Sequence, residues 1–396
     1  MSDAELTATL PHYPFSFRGD ALAPALKQFL VHEPVTRVVT NAGHPGWLVT
    51  GYELARDALK DPRLSRSALS DPEMPQEDSG APPLAVVGTM IMLRRAGLRE
   101  EAVKGMSPRQ QYVPLSRVRA IAEELLDEMT GRGTSGDLVE DFALPWAARV
   151  TCELLGLRPA VASEVSAWFG LMATGPIADR RLPTEWPASL DRLATWMDDL
   201  AETGLLPRLM QLNDVSPHPL PPVDMLEVAH MLTFSGLGNP AAFLAACVLA
   251  LARDPKLANR LREQPDLMPL MVKEVYRWAP LLGDSITRIA MEDLVIGDVH
   301  VHAGELVMIS TDAANHDPAV FAEPERLDID RDAAPHLRFG HGRHYCPAAA
   351  LNQLQTEAAL DVLLARLPNL RLAAEPPVTW RDHHSVLMPV EVPVHW

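Results

Sequence analysis

The sequence predicts a mainly α-helical protein with minor β structure. Three observations carry that prediction. Long stretches with apolar residues at helical spacing occupy most of the chain, β-type runs are short, and 36 prolines place stiff turns between the segments. In order, DALAPALKQFLVHE reads as a helix, VTRVVT and GWLVT as two short strands, and YELARDALKD as a second helix. Residues 93–105 read as one basic helix carrying Arg94, Arg95, Arg99 and Lys104. Residues 136–156, GDLVEDFALPWAARVTCELLG, form an apolar-faced helix that ends at Gly156. A proline-rich segment near residues 206–222 leads into VDMLEVAHMLTFSGLGNPAAFLAACVLALARD, whose centre contains Gly236, Gly238 and Pro240. Glycine weakens a helix and proline removes one of its hydrogen bonds, so this helix should break there. A further helix over 265–279 carries Glu274 and Arg277 and stops at Pro280, and ITRIA and LVIGDVHVHAGELVMIS supply short strands.

The chain of 396 residues is 47% hydrophobic and 22% charged, ordinary proportions for a protein that buries a large core. No linker, low-complexity tract or repeat divides it, which predicts a single domain over residues 1–396. The first twenty residues lack a cationic segment followed by an apolar core, so a cytoplasmic protein is expected. A net charge of -17 argues against nucleic acid and anionic membrane as general partners, because both would repel it. Cys152, Cys247 and Cys346 are far apart and match no paired spacing, which excludes a disulfide framework or zinc site of the usual pattern.

Cys346 stands out by its surroundings, HLRFGHGRHYCPAAAL over residues 336–351. Gly340 and Gly342 favour unusual backbone angles, whereas Pro347 and the following AAALNQLQTEAALDVLLARL suit a helix start and a helix. The sulfur therefore sits where a glycine-rich loop enters a helix, a setting that favours thiolate over thiol. Taken alone, a lone cysteine is more often an inert buried thiol.

The ordered set WLVTGY, DPRLSR, CELLG, a glycine-interrupted long helix, Glu274-x-x-Arg277, ANHDPAVF, PERLDIDR and FGHGRHYC resembles the soluble bacterial type of the cytochrome P450 superfamily over nearly the whole chain. The resemblance implies a triangular-prism fold with haem b between the long central helix and the loop and helix of the cysteine ligand. It makes Cys346 the proximal ligand of the haem iron and Phe339 part of the cofactor site. His344, Arg288 and Arg99 would meet the haem propionates, with Arg95 where the family has histidine; a solvated surface charge is the alternative for each arginine. Glu274, Arg277 and Arg326 correspond to a structural triad. The implied activity is that of a haem-thiolate oxidoreductase of the monooxygenase type, acting on a mainly apolar small molecule of secondary metabolism. Val86, Val87, Met90, Leu232, Ser235, Leu282 and Ile286 would touch that substrate, packed core being the alternative for the apolar ones. The implied partners are a ferredoxin with its reductase and possible carrier-protein-bound substrate, with the enzyme a monomer.

Two departures qualify the resemblance. Where the family reads [AG]Gx[DE]TT, this chain has SGLGNP, so the acid of the proton-delivery pair is replaced by Gly238 and the alcohol by Asn239, beside Ser235. Pro240 has no N–H, which leaves the carbonyl of Gly236 open to water or substrate. Beside the sulfur, Cys346-Pro347-Ala348 replaces Cys-x-Gly, and Pro347 offers the thiolate no donor. The missing acid keeps two further readings open, a haem-thiolate enzyme that cyclises or isomerises without oxygenating and a non-catalytic haem-binding scaffold.

Overall fold

A computed structural model describes residues 9–15, 19, 21–78, 81–110, 112–173, 182–281, 285–332, 335–373, 378–381 and 387–396. The chain begins with α1 (Pro24–His32), β1 (Val35–Val39), β2 (Pro45–Val49), α2 (Tyr52–Lys60) and β3 (Leu64–Ser65). The helices α3 (Leu84–Arg95), α4 (Arg99–Gly105), α5 (Leu115–Thr130), α6 (Leu144–Leu155), α7 (Ala162–Ala173), α8 (Leu182–Met197) and α9 (Leu205–Asp214) follow. Next come the central helix α10 (Pro222–Arg253), α11 (Pro255–Glu263) and α12 (Met268–Trp278). Short strands and two helices complete the order that concerns the site, with β4 (Ile286–Ala290), β5 (Leu306–Ile309), α13 (Thr311–Ala314) and α14 (Ala349–Arg366). Mainly α with minor β is what the chain forms.

Three expected boundaries move, each for a local reason. The basic run is two helices, α3 and α4, because the chain turns at Gly97 with φ +74°. The segment predicted as one helix over 136–156 begins with a short strand, Ser135–Asp137, and its α-helix starts only at Leu144, where Pro145 falls in the first turn. Its end is as expected, with Gly156 left-handed at φ +84°. The central helix, expected to break, runs unbroken for 32 residues through Pro240. Tertiary packing overrides propensity here, because Leu237, Ala241, Ala242, Leu244, Ala245 and Val248 are all fully buried.

The main sheet has the order β1-β2-β5-β4-β3, with β2 and β5 parallel and the other neighbours antiparallel. Its register sets Arg288 of β4 opposite Val307, which fixes that cation at the sheet's end of the molecule. The largest core forms where α5, α6, α10 and α14 pack together, through Ile121, Leu126, Trp146, Ala148, Leu237, Ala359 and Leu363. Apolar burial of this extent is the dominant stabilising term.

Buried histidines, His316 and His336 among them, are expected to make this fold acid-sensitive. His316 is 4% exposed with Nδ1 2.8 Å from the carbonyl of Asp312, and burial pushes its pKa from 6.5 down to about 4. His336 is pushed down to about 4 by burial and by Arg338. The unfolded chain takes up these protons first, so their stabilising effect is complete above about pH 6.5 and is lost as pH falls toward 4. The thermal midpoint is expected to fall across that window and His316→Gln to flatten the slope, read by melting at a series of pH values. An unchanged slope in the variant would remove His316 from this account.

Candidate active site

The loop before Cys346 is built to present one sulfur. Gly340 and Gly342 adopt φ +73° and +69°, and a Cβ on Gly342 would stand 2.8 Å from Cβ of Lys60, so glycine is required there on two counts. The N–H of Gly340 donates to Leu337 at 2.9 Å and the N–H of Cys346 to Phe339 at 2.9 Å, closing the loop on itself. Arg338 anchors it from behind through the carboxylate of Asp312 and the carbonyls of Tyr276 and Ala279. Burial holds the pKa of Cys346 above its ordinary value, against the pull of the backbone N–H groups of Ala348 and Ala349, so the loop by itself does not favour thiolate, contrary to what its place at a helix start predicts. Pro347 supplies no donor, as the sequence implied, but its two successors do. The sulfur is not short of donors.

Cys346 opens into a cavity of about 980 Å³. The central helix lines the same cavity through Leu232, Ser235, Gly236, Asn239, Pro240 and Phe243, the last in edge contact with Phe339 of the cysteine loop, and Val86, Val87, Met90 and Ile286 extend its apolar lining. One end is cationic, with Arg66, Arg94, Arg99, Arg288, Arg343 and His344 in the wall. Arg288 is 2% exposed, and among the described residues its hydrogen bond runs only to the carbonyl of neighbouring Thr287, at 2.8 Å. Burial, then Arg66 and Arg343, push its pKa down to about 9. Desolvation, then Arg288 and Arg343, hold His344 down at about 4. A buried guanidinium crowded by like charges and short of acceptors calls for an anion. The two carboxylates of a haem suit this end of the cavity, with its ring carried toward Cys346, so the residues present fit the group.

The central helix meets this cavity along one stripe. Ser235, Gly236, Asn239 and Pro240 line it, whereas Gly238 is buried away from the wall, because at 3.6 residues per turn positions 237 and 238 face the core. The Ser235 hydroxyl donates back to Met231 at 2.7 Å. The carbonyl of Gly236, expected to be open to water or substrate, is not open. The hydroxyl of Thr151, from α6, donates to it at 2.6 Å.

The predicted residues thus fall into three groups. Cys346, Phe339, His344, Arg99, Arg288, Ser235, Asn239, Val86, Val87, Met90, Leu232 and Ile286 line the one cavity. Arg95 and Gly238 do not, and Leu282 lies outside the described residues. Arg94, one helical step of 100° away, lines the cavity where Arg95 does not, and it is near enough to lower the pKa of His344. Val86, Val87 and Met90 lie on α3, which is kinked at Gly88. Behind the site, Glu274 and Arg277 form a bidentate pair at 2.8 and 2.9 Å. The third member is Arg331, 3.2 Å from Glu274, because the side chain of Arg326 turns outward to Glu323 and Asp328 and contributes only its carbonyl. Arg66 and Arg343 were visible within DPRLSR and GRHYC but carried no distinguishing signal, and Thr151 carried none at all.

Residues 224–388 match the Cytochrome P450 family. The chain is 34% identical over 398 residues to the mycinamicin IV hydroxylase/epoxidase of Micromonospora griseorubida, covering 97% of this chain and 98% of that protein. It is 31% identical to the mycocyclosin synthase of Mycobacterium tuberculosis, covering 99% of this chain and 100% of the relative. Among solved structures, the putative thioether synthase SgvP, involved in the tailoring step of griseoviridin, aligns with a TM-score of 0.84 at 29% identity over 98% of this chain and 100% of its own. Haem b is accordingly the cofactor, the substrates of such enzymes are small molecules, and their electrons come from a redox partner. A cysteine loop and a long helix that line one cavity, in a chain matched over nearly its whole length by these relatives, establish that the protein belongs to the cytochrome P450 family of monooxygenase-type, haem-dependent enzymes.

Proposed function

We propose that the protein is a P450 monooxygenase that oxidises a mainly apolar small molecule, an intermediate of secondary metabolism. The observation that carries this reading is a cavity of about 980 Å³ that joins Cys346, a cationic end and an apolar wall. When bound, haem b supplies the iron that activates dioxygen and takes up electrons. Cys346 holds it through the sulfur, and Ala348 and Ala349 donate to that sulfur and hold it in place. Arg99, Arg288 and His344, joined by Arg94, hold the propionates. Val86, Val87, Met90, Leu232 and Ile286 exclude water around the substrate and orient it, and Ser235 and Asn239 are the polar groups facing it from the central helix.

The wider assignment follows the same line. Residues 1–396 act as one cytoplasmic, monomeric unit that receives electrons from a ferredoxin and its reductase, with no nucleic acid or membrane as partner. A substrate bound to a carrier protein is a further possibility that the cavity does not require. A second reading, cyclisation or isomerisation without oxygen insertion, is favoured by the lack of a carboxylate at Gly238 and by likeness to a mycocyclosin synthase. A non-catalytic scaffold is a third.

One experiment separates them. Purified protein is incubated with candidate substrates, with and without ferredoxin, reductase and NAD(P)H, and separately with peroxide. Product carrying one atom of labelled dioxygen supports the monooxygenase, and product without any electron source supports the non-oxygenating reading. No product under any condition, with the haem spectrum moved by substrate, leaves the scaffold.

A further inference from the structure

We propose that Thr151 is a positioning residue for the oxygenase site, a hydroxyl on α6 that fixes the stretch of the central helix facing the haem. In a helix, Thr and Ser hydroxyls commonly turn back to the carbonyl four residues earlier. Thr233 and Ser235 do so, donating to Ala229 at 2.8 Å and Met231 at 2.7 Å. Thr151 does not. It is 3% exposed, and its hydroxyl crosses to the neighbouring helix and donates to the carbonyl of Gly236 at 2.6 Å.

That carbonyl is a particular one. Its ordinary partner in the helix would be the N–H of residue 240, and Pro240 has none. A buried carbonyl deprived of its partner needs another, or it draws in water and bends the helix. Thr151 fills the gap. The approach also depends on Gly236, because a Cβ there would stand 2.9 Å from Cγ2 of Thr151. Three residues on two helices, Thr151, Gly236 and Pro240, thus form one latch, and all three line the cavity. Between Gly236 and Pro240 lies Asn239, the polar side chain that this helix turns to the cavity. The latch sets where that side chain stands and denies the carbonyl to solvent.

The role rests on the oxygenase reading, but its test does not depend on turnover. Thr151→Val keeps the shape and removes the donor, Thr151→Ser keeps the donor, and Pro240→Ala returns an N–H to the Gly236 carbonyl. In haem-loaded protein, the C–O stretching band of the reduced carbonyl complex reports the polarity and order of the pocket next to this stretch. Thr151→Val is expected to shift or split that band and to raise peroxide released per NAD(P)H roughly fivefold, the factor that one net hydrogen bond represents in a rate ratio. Thr151→Ser should match the parent. In the Pro240→Ala background, Thr151→Val should have little further effect, because the backbone then supplies the partner. An unchanged band and unchanged peroxide yield in Thr151→Val, or equal effects in both backgrounds, would overturn the proposal. Should Thr151→Val fail to load haem, the Pro240→Ala double variant decides: loading with a parental band supports the latch, and continued failure reduces Thr151 to packing. If no electron source supports turnover, the oxygenase reading fails while the band shift still reports on the latch.

Discussion

Cys346→Ser is expected to abolish oxygenase activity and the strongly red-shifted Soret band of the reduced carbonyl complex, while leaving the fold intact. The sulfur is the one side chain that the loop is shaped to present, with Gly340 and Gly342 left-handed around it and the Ala348 and Ala349 N–H groups aimed at it. A serine oxygen at the same place is a poorer electron donor, and thiolate donation is what favours O–O cleavage at a haem. Loss of an outer partner of a metal ligand costs roughly 10–100-fold, so loss of the ligand itself should exceed that range. The other two cysteines are controls. Burial pushes Cys152 up to about 12 and Cys247 higher still, so neither offers a thiolate. Cys152→Ala and Cys247→Ala should keep the band. A band that survives in Cys346→Ser, or one that disappears in either control, would mean that the ligand has been misplaced.

The parts of this site legible in the sequence are those in which one short segment carries its own geometry. FGHGRHYC specifies a loop, a sulfur and a following helix within a few residues, and ITRIA is recovered as the strand Ile286–Ala290 that bears Arg288. What stayed hidden depends on contacts between segments distant in the chain. Arg95 and Arg94 are equivalent in composition, and only the rotation of α3 against the cavity makes Arg94 the one that faces it. Arg326 and Arg331 both lie in PERLDIDR, and the side chain that reaches Glu274 is decided by the path of a turn. SGLGNP reads as a broken helix because local propensity counts the bond that Pro240 loses and cannot count the hydroxyl that replaces it from 85 residues earlier. The error and the functional clue are the same residue.

Gly238→Asp combined with Asn239→Thr is expected to raise the product formed per NAD(P)H if the native reaction is oxygenation. Proton delivery in such a site needs a titratable group and a hydroxyl, and the native pair offers neither: glycine has no side chain, and the amide of Asn239 does not titrate near pH 7. Without delivery, reduced oxygen escapes as peroxide unless the substrate relays protons. The two substitutions act from different places. Residue 239 lines the cavity, whereas residue 238 is buried on the core side of the helix, where desolvation would raise an aspartate toward the neutral, proton-donating form. A positioned acid contributes roughly 10²–10⁴-fold, so a gain of about tenfold in the ratio of product to peroxide is a modest demand for an imperfectly placed one. Asn239→Thr alone should recover part of it, and Gly238→Asp alone little, because a buried acid with no hydroxyl beside it has no path to the pocket. Product and peroxide are measured in all four proteins at equal haem content. A double variant that holds haem but loses native activity outright would show that Asn239 is engaged with the substrate itself, which would shift weight to the non-oxygenating chemistry that a missing acid permits.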